Sequence, residues 1–484
     1  MRQLVDFLFK NTSVKQTIAK NTFWLIAAEI ASRLLKMMLV VYAARILGAE
    51  GWGAFSYALS IGSILMIFSD IGIGGLITRE AVQLKDGYAS FISTSLFLKS
   101  AILCASILLV VLLGPHISHI AEARPLFGMI AIILVFDALR ETGFAVNRAF
   151  EKMEWEIVVK ILMSALTLWF GIMLLKSDPS PESFALAYAI GSALGFFLIA
   201  IVVRKRFLQI ISRIDLTLLG TVIKTTWPFA LITLVGSIMA NTDVVMLGIW
   251  KNSAEIGLYA SMQRIQQFIL IIPSMIGTAS FPLISRLAHT DKGQLGNIFE
   301  RTLRFMFLIA IPIVVGGMLL SGKIVVFTFG AAYAGAAPIL SALLLMLLVS
   351  FPLILLSNAI FAFDKQRELA RAYFFGVIAN ILANFFLIPK FGAVGSAWAT
   401  VVSTAIVTFV VWRKVNREAS FRIVTGLRKI IIATICMATV ISVINYFGGK
   451  LILTMLAGML VYIFCLILLR EPLLKDIRTI LPER

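Results

Sequence analysis

The chain has 484 residues, of which 60% are hydrophobic and 14% charged, with a mean hydropathy of +0.97. No soluble core hides that much apolar surface, so the composition excludes a water-soluble globular protein and indicates an integral membrane protein. The formal charge of +18 would suggest nucleic acid for a soluble chain; in a membrane protein the placement of the charges decides instead.

Met1 to Lys20 is basic and polar, and the apolar run that follows is too long and too charged for a signal core. It reads as a cytoplasmic N-terminal segment, 1–20, followed by a retained span. Spans of roughly 20 residues, the length that a hydrocarbon core of about 30 Å demands, are expected at 22–47, 52–77, 90–114, 124–147, 156–176, 183–203 and 218–247. They continue at 254–284, 298–321, 335–362, 370–388, 391–412, 428–447 and 450–469. The expected fold is therefore an all-α integral membrane protein with about 14 transmembrane helices.

Allotting Lys and Arg to alternate sides puts about 30 of the 43 with the N-terminus and about seven opposite, which predicts cytoplasmic termini. The heaviest clusters, Arg204-Lys205-Arg206 with Arg213, and Arg413, Lys414, Arg417, Arg422, Arg428 and Lys429, read as anchors against anionic headgroups. The first divides the chain into lobes of six spans, 21–215 and 216–413, with a last span pair and tail in 414–484. The lobes faintly repeat. Lys20-Asn-Thr-Phe-Trp opens one and Lys224-Thr-Thr-Trp-Pro the other; Leu47-Gly48 precedes Gly53-Ala-Phe55 as Leu247-Gly248 precedes Gly257-Leu-Tyr259; the third span of each carries a cation, Lys99 or Arg304.

The first span holds Glu29, Arg33 and Lys36. A charge near a helix centre costs roughly 2.5 to 3.5 kcal/mol, so three cost on the order of 8 kcal/mol, about what the apolar residues of the span return. The steps of four and three residues place all three on one stripe, which can face protein or water while the rest faces lipid, and Glu29 can pair with Arg33. The fourth span repeats the device with Asp137, Arg140, Glu141 and Arg148. Two such stripes predict a charged, wet cavity with a positive bias; a structural ion-pair network, with Asp137, Arg140 and Glu141 neutralising one another, is the competing reading. In the second lobe Arg264 sits among Gln263, Gln266 and Gln267 inside the eighth span, and Asn241 and Asp243 lie near the end of the seventh.

Other chemistry is not supported. The cysteines, Cys104, Cys436 and Cys465, read as small hydrophobes, with no disulfide or zinc framework. His116 and His119 read as solvated loop residues. Gly317 to Lys323 resembles a phosphate-binding loop, but Ile324 replaces the hydroxyl residue that would hold magnesium and the segment ends a span. No cofactor and no metal is expected.

Ala44-Arg45-Ile-Leu-Gly48, Gly53-Ala-Phe55-Ser and Asp70-Ile-Gly72 resemble the opening of the polysaccharide-transporter (Wzx-like) family of lipid-linked oligosaccharide flippases. The resemblance continues through Trp227-Pro228, Asp243 to Gly248, Gly257-Leu-Tyr259, Phe281-Pro282, Ser285-Arg286, Phe329-Gly330, Tyr333 and Ala337. It ends with Asn380, Asn384, Leu387-Ile-Pro389, Gly392, Gly395 and Ala397 to Thr400, covering roughly residues 15 to 412.

That resemblance implies two pseudo-symmetric six-helix lobes plus a C-terminal helix pair. It also implies alternating access and transfer of undecaprenyl-diphosphate-linked sugars from the cytoplasmic to the outer leaflet of a prokaryotic plasma membrane. With an anionic cargo implied, Arg33, Lys36, Arg140 and Arg264 become candidate substrate-binding residues, with Lys99 and Arg304 nearer the mouth. Glu29, Asp137 and Glu141 become candidate coupling carboxylates for a proton or sodium ion. The expected partners are the lipid-diphosphate-linked oligosaccharide, membrane lipids and a polysaccharide polymerase. Competing functions are a multidrug or metabolite exporter, a peptidoglycan lipid-precursor flippase and, in a different class, a membrane glycosyl polymerase or ligase.

Overall fold

The structure, a computed structural model, describes residues 14–66, 88–149, 153–210, 214–424 and 426–473. The Asp70-Ile-Gly72 motif and Arg213 lie outside the described residues, as do the side chains of Lys20 to Trp24, Arg206, Trp227 and Pro228. Among the described residues the regular structure is helical throughout.

The chain opens with α1 (Val14–Leu65), α2 (Tyr88–Ile117), α3 (Phe127–Ala149), α4 (Met153–Ser177), α5 (Pro181–Ile210) and α6 (Leu219–Trp250). It continues with α7 (Ser253–Ile269), α8 (Ile271–Ala288), α9 (Lys292–Leu319), α10 (Ser321–Phe329), α11 (Ala337–Leu345) and α12 (Leu347–Ala362). The last three are α13 (Gln366–Glu418), α14 (Arg428–Tyr446) and α15 (Leu451–Leu468).

Two of these helices are too long for one crossing. At 1.5 Å per residue, a helix of about 50 residues would run about 75 Å, more than twice the hydrocarbon thickness. Both break at a glycine in the left-handed region, Gly48 (φ 68°) in α1 and Gly392 (φ 58°) in α13. Only a residue without Cβ adopts that backbone cheaply. The arms of α13 fold back on one another, since a Cβ at Gly395 would lie 2.4 Å from the Leu387 carbonyl oxygen.

Ten helices among the described residues are long and apolar enough to cross a membrane, α13 counting as one. Resolving α13 at Gly392 and adding the two arms of α1 and the charged α3 gives fourteen spans, as the sequence predicts. The first arm of α1 and α3 carry the charged stripes, which is why apolarity alone passes over them; the second arm of α1 is described only as far as Met66. Large side chains left uncovered, such as Leu112 (60%), Ile201 (66%), Phe386 (64%) and Leu460 (68%), would each cost about 1.5–3 kcal/mol in water. A lipid environment removes that cost.

The chain divides into two compact units at Gly257/Leu258. In the first, α1 packs on α4, and α5 on both α3 and α4; the core includes Ile92, Phe144, Val159 and Ile199. In the second, α14 and α15 pack on α9 through Phe307, Leu308, Ile430, Met437, Tyr462 and Leu466. A six-residue 3₁₀ turn recurs at related places, Ala121–Leu126 before α3 and Ala331–Ala336 before α11. That recurrence adds a structural element to the internal repeat seen in the residues.

Candidate functional site

The first unit gathers its charges from three helices. On α1 the Arg33 Nε donates to Glu29 Oε1 at 2.8 Å, the i,i+4 pair expected from spacing. On α3 the Arg140 guanidinium pairs with Asp137 and, at 3.5 Å, with Glu141. Arg140 also donates to Met163 Sδ at 3.1 Å. Gly195 of α5 permits that contact, because a Cβ there would lie 2.6 Å from the same sulfur.

The third contributor is α4, whose charges near the helix start look from sequence like ordinary end residues. Glu156, only 2% exposed, accepts two hydrogen bonds from Arg148, at 2.8 and 2.6 Å, and pairs with Lys160 at 3.0 Å. Lys160 reaches across to Glu29 Oε2 at 3.4 Å, joining the stripe of α1 to the buried carboxylate of α4. Phe144 lies beneath both Arg140 and Lys160, with ring centroids 5.9 and 5.6 Å away. Ser32 and Ser164 share a hydrogen bond at 2.7 Å that fixes α1 against α4 beside this junction. The available sequence signal was Glu156-x-x-x-Lys160, the same four-residue step that marks Glu29 and Arg33.

Lys36 differs from its neighbours. It is half-buried and lies in the field of Arg140, Asp137, Glu29 and Lys160, yet it makes no ion pair or hydrogen bond among the described residues. Among the described residues the junction thus holds five cations, Arg33, Lys36, Arg140, Arg148 and Lys160, against four carboxylates, Glu29, Asp137, Glu141 and Glu156. The surplus is one positive charge, and Lys36 carries it unpaired.

The remaining sequence candidates take no part in the ion pairs of that junction. Lys99 is buried within the first unit. Arg264, in the second unit, donates to Gln267 Oε1 at 3.2 Å. Arg304 is engaged with Glu471, a 2.5 Å ion pair to a carboxylate that is 1% exposed. A buried polar cluster joins Asn384 to Asn380 at 3.0 Å and Tyr259 to Thr400 at 3.4 Å. No group of three metal-ligating side chains occurs among the described residues.

A helical, multi-pass fold with a charged junction inside one unit is that of a membrane transporter. A model of the polysaccharide biosynthesis protein family matches residues 18–288, more than half of the chain, and the chain belongs to that family. A second model, of the lipid II flippase MurJ, matches residues 251–466. Among curated relatives, the "Probable flippase AglR" of Haloferax volcanii is 28% identical over 50% of this chain and 52% of its own length. This alignment therefore spans about half of each protein. The "Probable low-salt glycan biosynthesis flippase Agl15" of the same organism is 22% identical over 81% of this chain and 82% of its own. The solved structure of the lipid II flippase MurJ in an inward closed conformation matches with a TM-score of 0.78 at 19% identity. It covers 93% of this chain and 99% of that one, which establishes a shared fold.

Proposed function

We propose that the protein is a flippase that turns a lipid-diphosphate-linked oligosaccharide from the cytoplasmic to the outer leaflet by alternating access. The observation that carries this reading is the unpaired Lys36 in a junction with one surplus positive charge. A diphosphate headgroup cannot enter hydrocarbon without replacement of its hydration, and cations lining a wet groove supply it. Arg33, exposed and held by a single carboxylate, and Lys36 are the primary phosphate ligands. Arg140, already neutralised by two carboxylates, shapes the groove beside them, while Arg264 and Lys99 guide the cargo electrostatically. Moving the anion outward is favoured by an inside-negative potential, by about 2.3 kcal/mol per charge at 100 mV.

The carrier lipid is undecaprenyl diphosphate, and the sugar is a repeat unit of O-antigen, capsule or exopolysaccharide. The protein lies in the inner membrane with both termini cytoplasmic, following the distribution of Lys and Arg. Glu29, Asp137 and Glu141 couple the return of the empty carrier to a proton or sodium ion, and a polysaccharide polymerase receives the product. The names of the curated flippases and the family to which the chain belongs support this reading.

A second reading, flipping of a peptidoglycan lipid precursor, is favoured by the match of residues 251–466 to the lipid II flippase model. It shares the diphosphate chemistry and differs in the sugar. Proteoliposomes loaded in turn with lipid-diphosphate oligosaccharide, lipid II and a cationic drug separate the possibilities. Flipping of the oligosaccharide lipid, lost in Arg33→Ala although that variant inserts normally, is the expected outcome. Transport of the drug alone overturns the proposal.

A further inference from the structure

We infer that Lys160 is the counter-ion that takes over Glu29 when Arg33 turns to the cargo: a positioning residue that stops this carboxylate from opposing an anionic substrate. The inference rests on the flippase reading above and assigns a role within its site.

Glu29 accepts two cations from opposite directions, Arg33 from one turn further along α1 and Lys160 from α4. The two are not equivalent. Arg33 has Glu29 as its only ion-pair partner among the described residues, and its side chain is 43% exposed. Lys160 is 24% exposed, sits over the Phe144 ring and is shared with Glu156. Leaving for the cargo would cost Arg33 one contact; it would cost Lys160 two, one of them to a buried carboxylate.

The backbone around Lys160 is fixed as well. Ser164 donates to the Lys160 carbonyl at 2.8 Å and shares its hydroxyl contact with Ser32, the residue before Arg33. The Ser32–Ser164 bond therefore holds Lys160 opposite Glu29 while leaving the Arg33 side chain free to rotate. When Arg33 swings to a diphosphate, Glu29 would otherwise stand as a bare carboxylate within one side-chain length of a dianion, in a site where like charges repel strongly. Lys160 keeps Glu29 neutralised, and the departure of Arg33 leaves no uncompensated charge behind.

The test measures the affinity of the full chain in nanodiscs for farnesyl diphosphate, across wild type, Lys160→Met, Glu29→Gln and the double variant. Lys160→Met should weaken binding about 10-fold or more, and Glu29→Gln alone should bind at least as well as wild type. The double variant should return to within about 3-fold of Glu29→Gln, since directly interacting residues are strongly non-additive. Lys160→Arg, which keeps the charge, should bind within about 3-fold of wild type.

Pairing Lys160→Met with Glu156→Gln supplies a control that does not require the single variant to fold. Rescue by Glu156→Gln but not by Glu29→Gln would mean that Lys160 merely supports the α3–α4 packing, and overturns the inference. So does a loss that persists in the Lys160→Met/Glu29→Gln double variant, which would make Lys160 a direct phosphate ligand. A wild type that does not bind farnesyl diphosphate overturns the flippase reading together with this inference; a Lys160→Met variant as tight as wild type overturns this inference alone.

Discussion

A lysine without an ion-pair partner costs desolvation energy wherever its helix packs into a protein interior. Lys36 is such a residue, half-buried on α1 and in the field of two other cations, Arg140 and Lys160. Replacing it with Met keeps the stem volume and removes the charge, so Lys36→Met should leave thermal stability in detergent unchanged or raised, by about 1 kcal/mol. The same variant should lose lipid-diphosphate binding. A fall in both would mean that Lys36 holds the helices together instead. Arg148 makes the opposite case, because its two hydrogen bonds close on Glu156, which is 2% exposed. Arg148→Ala leaves that carboxylate with Lys160 alone and should destabilise the first unit by about 3 kcal/mol, read as a lowered Tm. Of these residues, sequence spacing identified Glu29, Arg33, Lys36, Asp137, Arg140 and Glu141 because each lies within a span, where a charge is conspicuous, and Arg148 because it continues the α3 stripe. Glu156 and Lys160 escaped because charges at a span's start are ordinary. Only the packing of α4 on α1 turns them inward.

At the scale of elements, the glycines of the internal repeat acquire a physical purpose. A Cβ on Gly53 would lie 1.7 Å from the Ser253 carbonyl oxygen, and one on Gly257 would lie 1.8 Å from that of Ala49. The contact is reciprocal: Ala49 and Gly53 on one helix, Ser253 and Gly257 on the other, each pair four residues apart, in the manner of small-residue contacts between membrane helices. No side chain yields there, because the obstructing atoms are backbone. Either Gly53→Ala or Gly257→Ala should therefore force the helices apart at a cost of about 1–3 kcal/mol, visible as a lowered Tm in detergent. The equivalence of Gly53 and Gly257 was legible in sequence; their meeting was not, since a repeat reports similarity and says nothing of contact. A second element-scale prediction concerns Asp215, which caps the 3₁₀ turn Leu216–Leu218. Its carboxylate accepts from the Thr217 hydroxyl at 2.6 Å and the Thr217 N–H at 2.9 Å. These bonds hold its pKa below the ordinary value of 3.8. A depressed folded pKa contributes stability above the unfolded value and loses it as pH falls through the folded one. Protection of the Thr217 and Leu218 amides, expressed relative to the intrinsic exchange rate at each pH, should therefore fall below about pH 4 and be unchanged between pH 5 and 8.

Across the whole molecule, the fourteen-span plan was readable because each crossing needs roughly 20 apolar residues whatever surrounds it. Which polar residues tie the last pair to the rest was not readable, since those ties join positions more than a hundred residues apart. Tyr462 of α15 donates to the Leu308 carbonyl at 2.7 Å, and Lys323 to the Gly449 carbonyl, also at 2.7 Å. Arg304 of α9 pairs with Glu471, just beyond α15, beneath Gly426, where a Cβ would lie 2.7 Å from the guanidinium. The final pair is thus fastened to α9 at Arg304 and Leu308 and to α10 at Lys323, and Arg304 is the fastening whose partner is a fully buried carboxylate. Removing one partner of such a pair strands the other, which costs about 3–5 kcal/mol, whereas removing both relieves most of the loss. Arg304→Met and Glu471→Gln should each lower the Tm markedly, and the double variant should recover most of the difference. If Arg304 contributes mainly to cargo binding, Arg304→Met should instead retain its Tm and lose flipping, and Glu471→Gln should change neither.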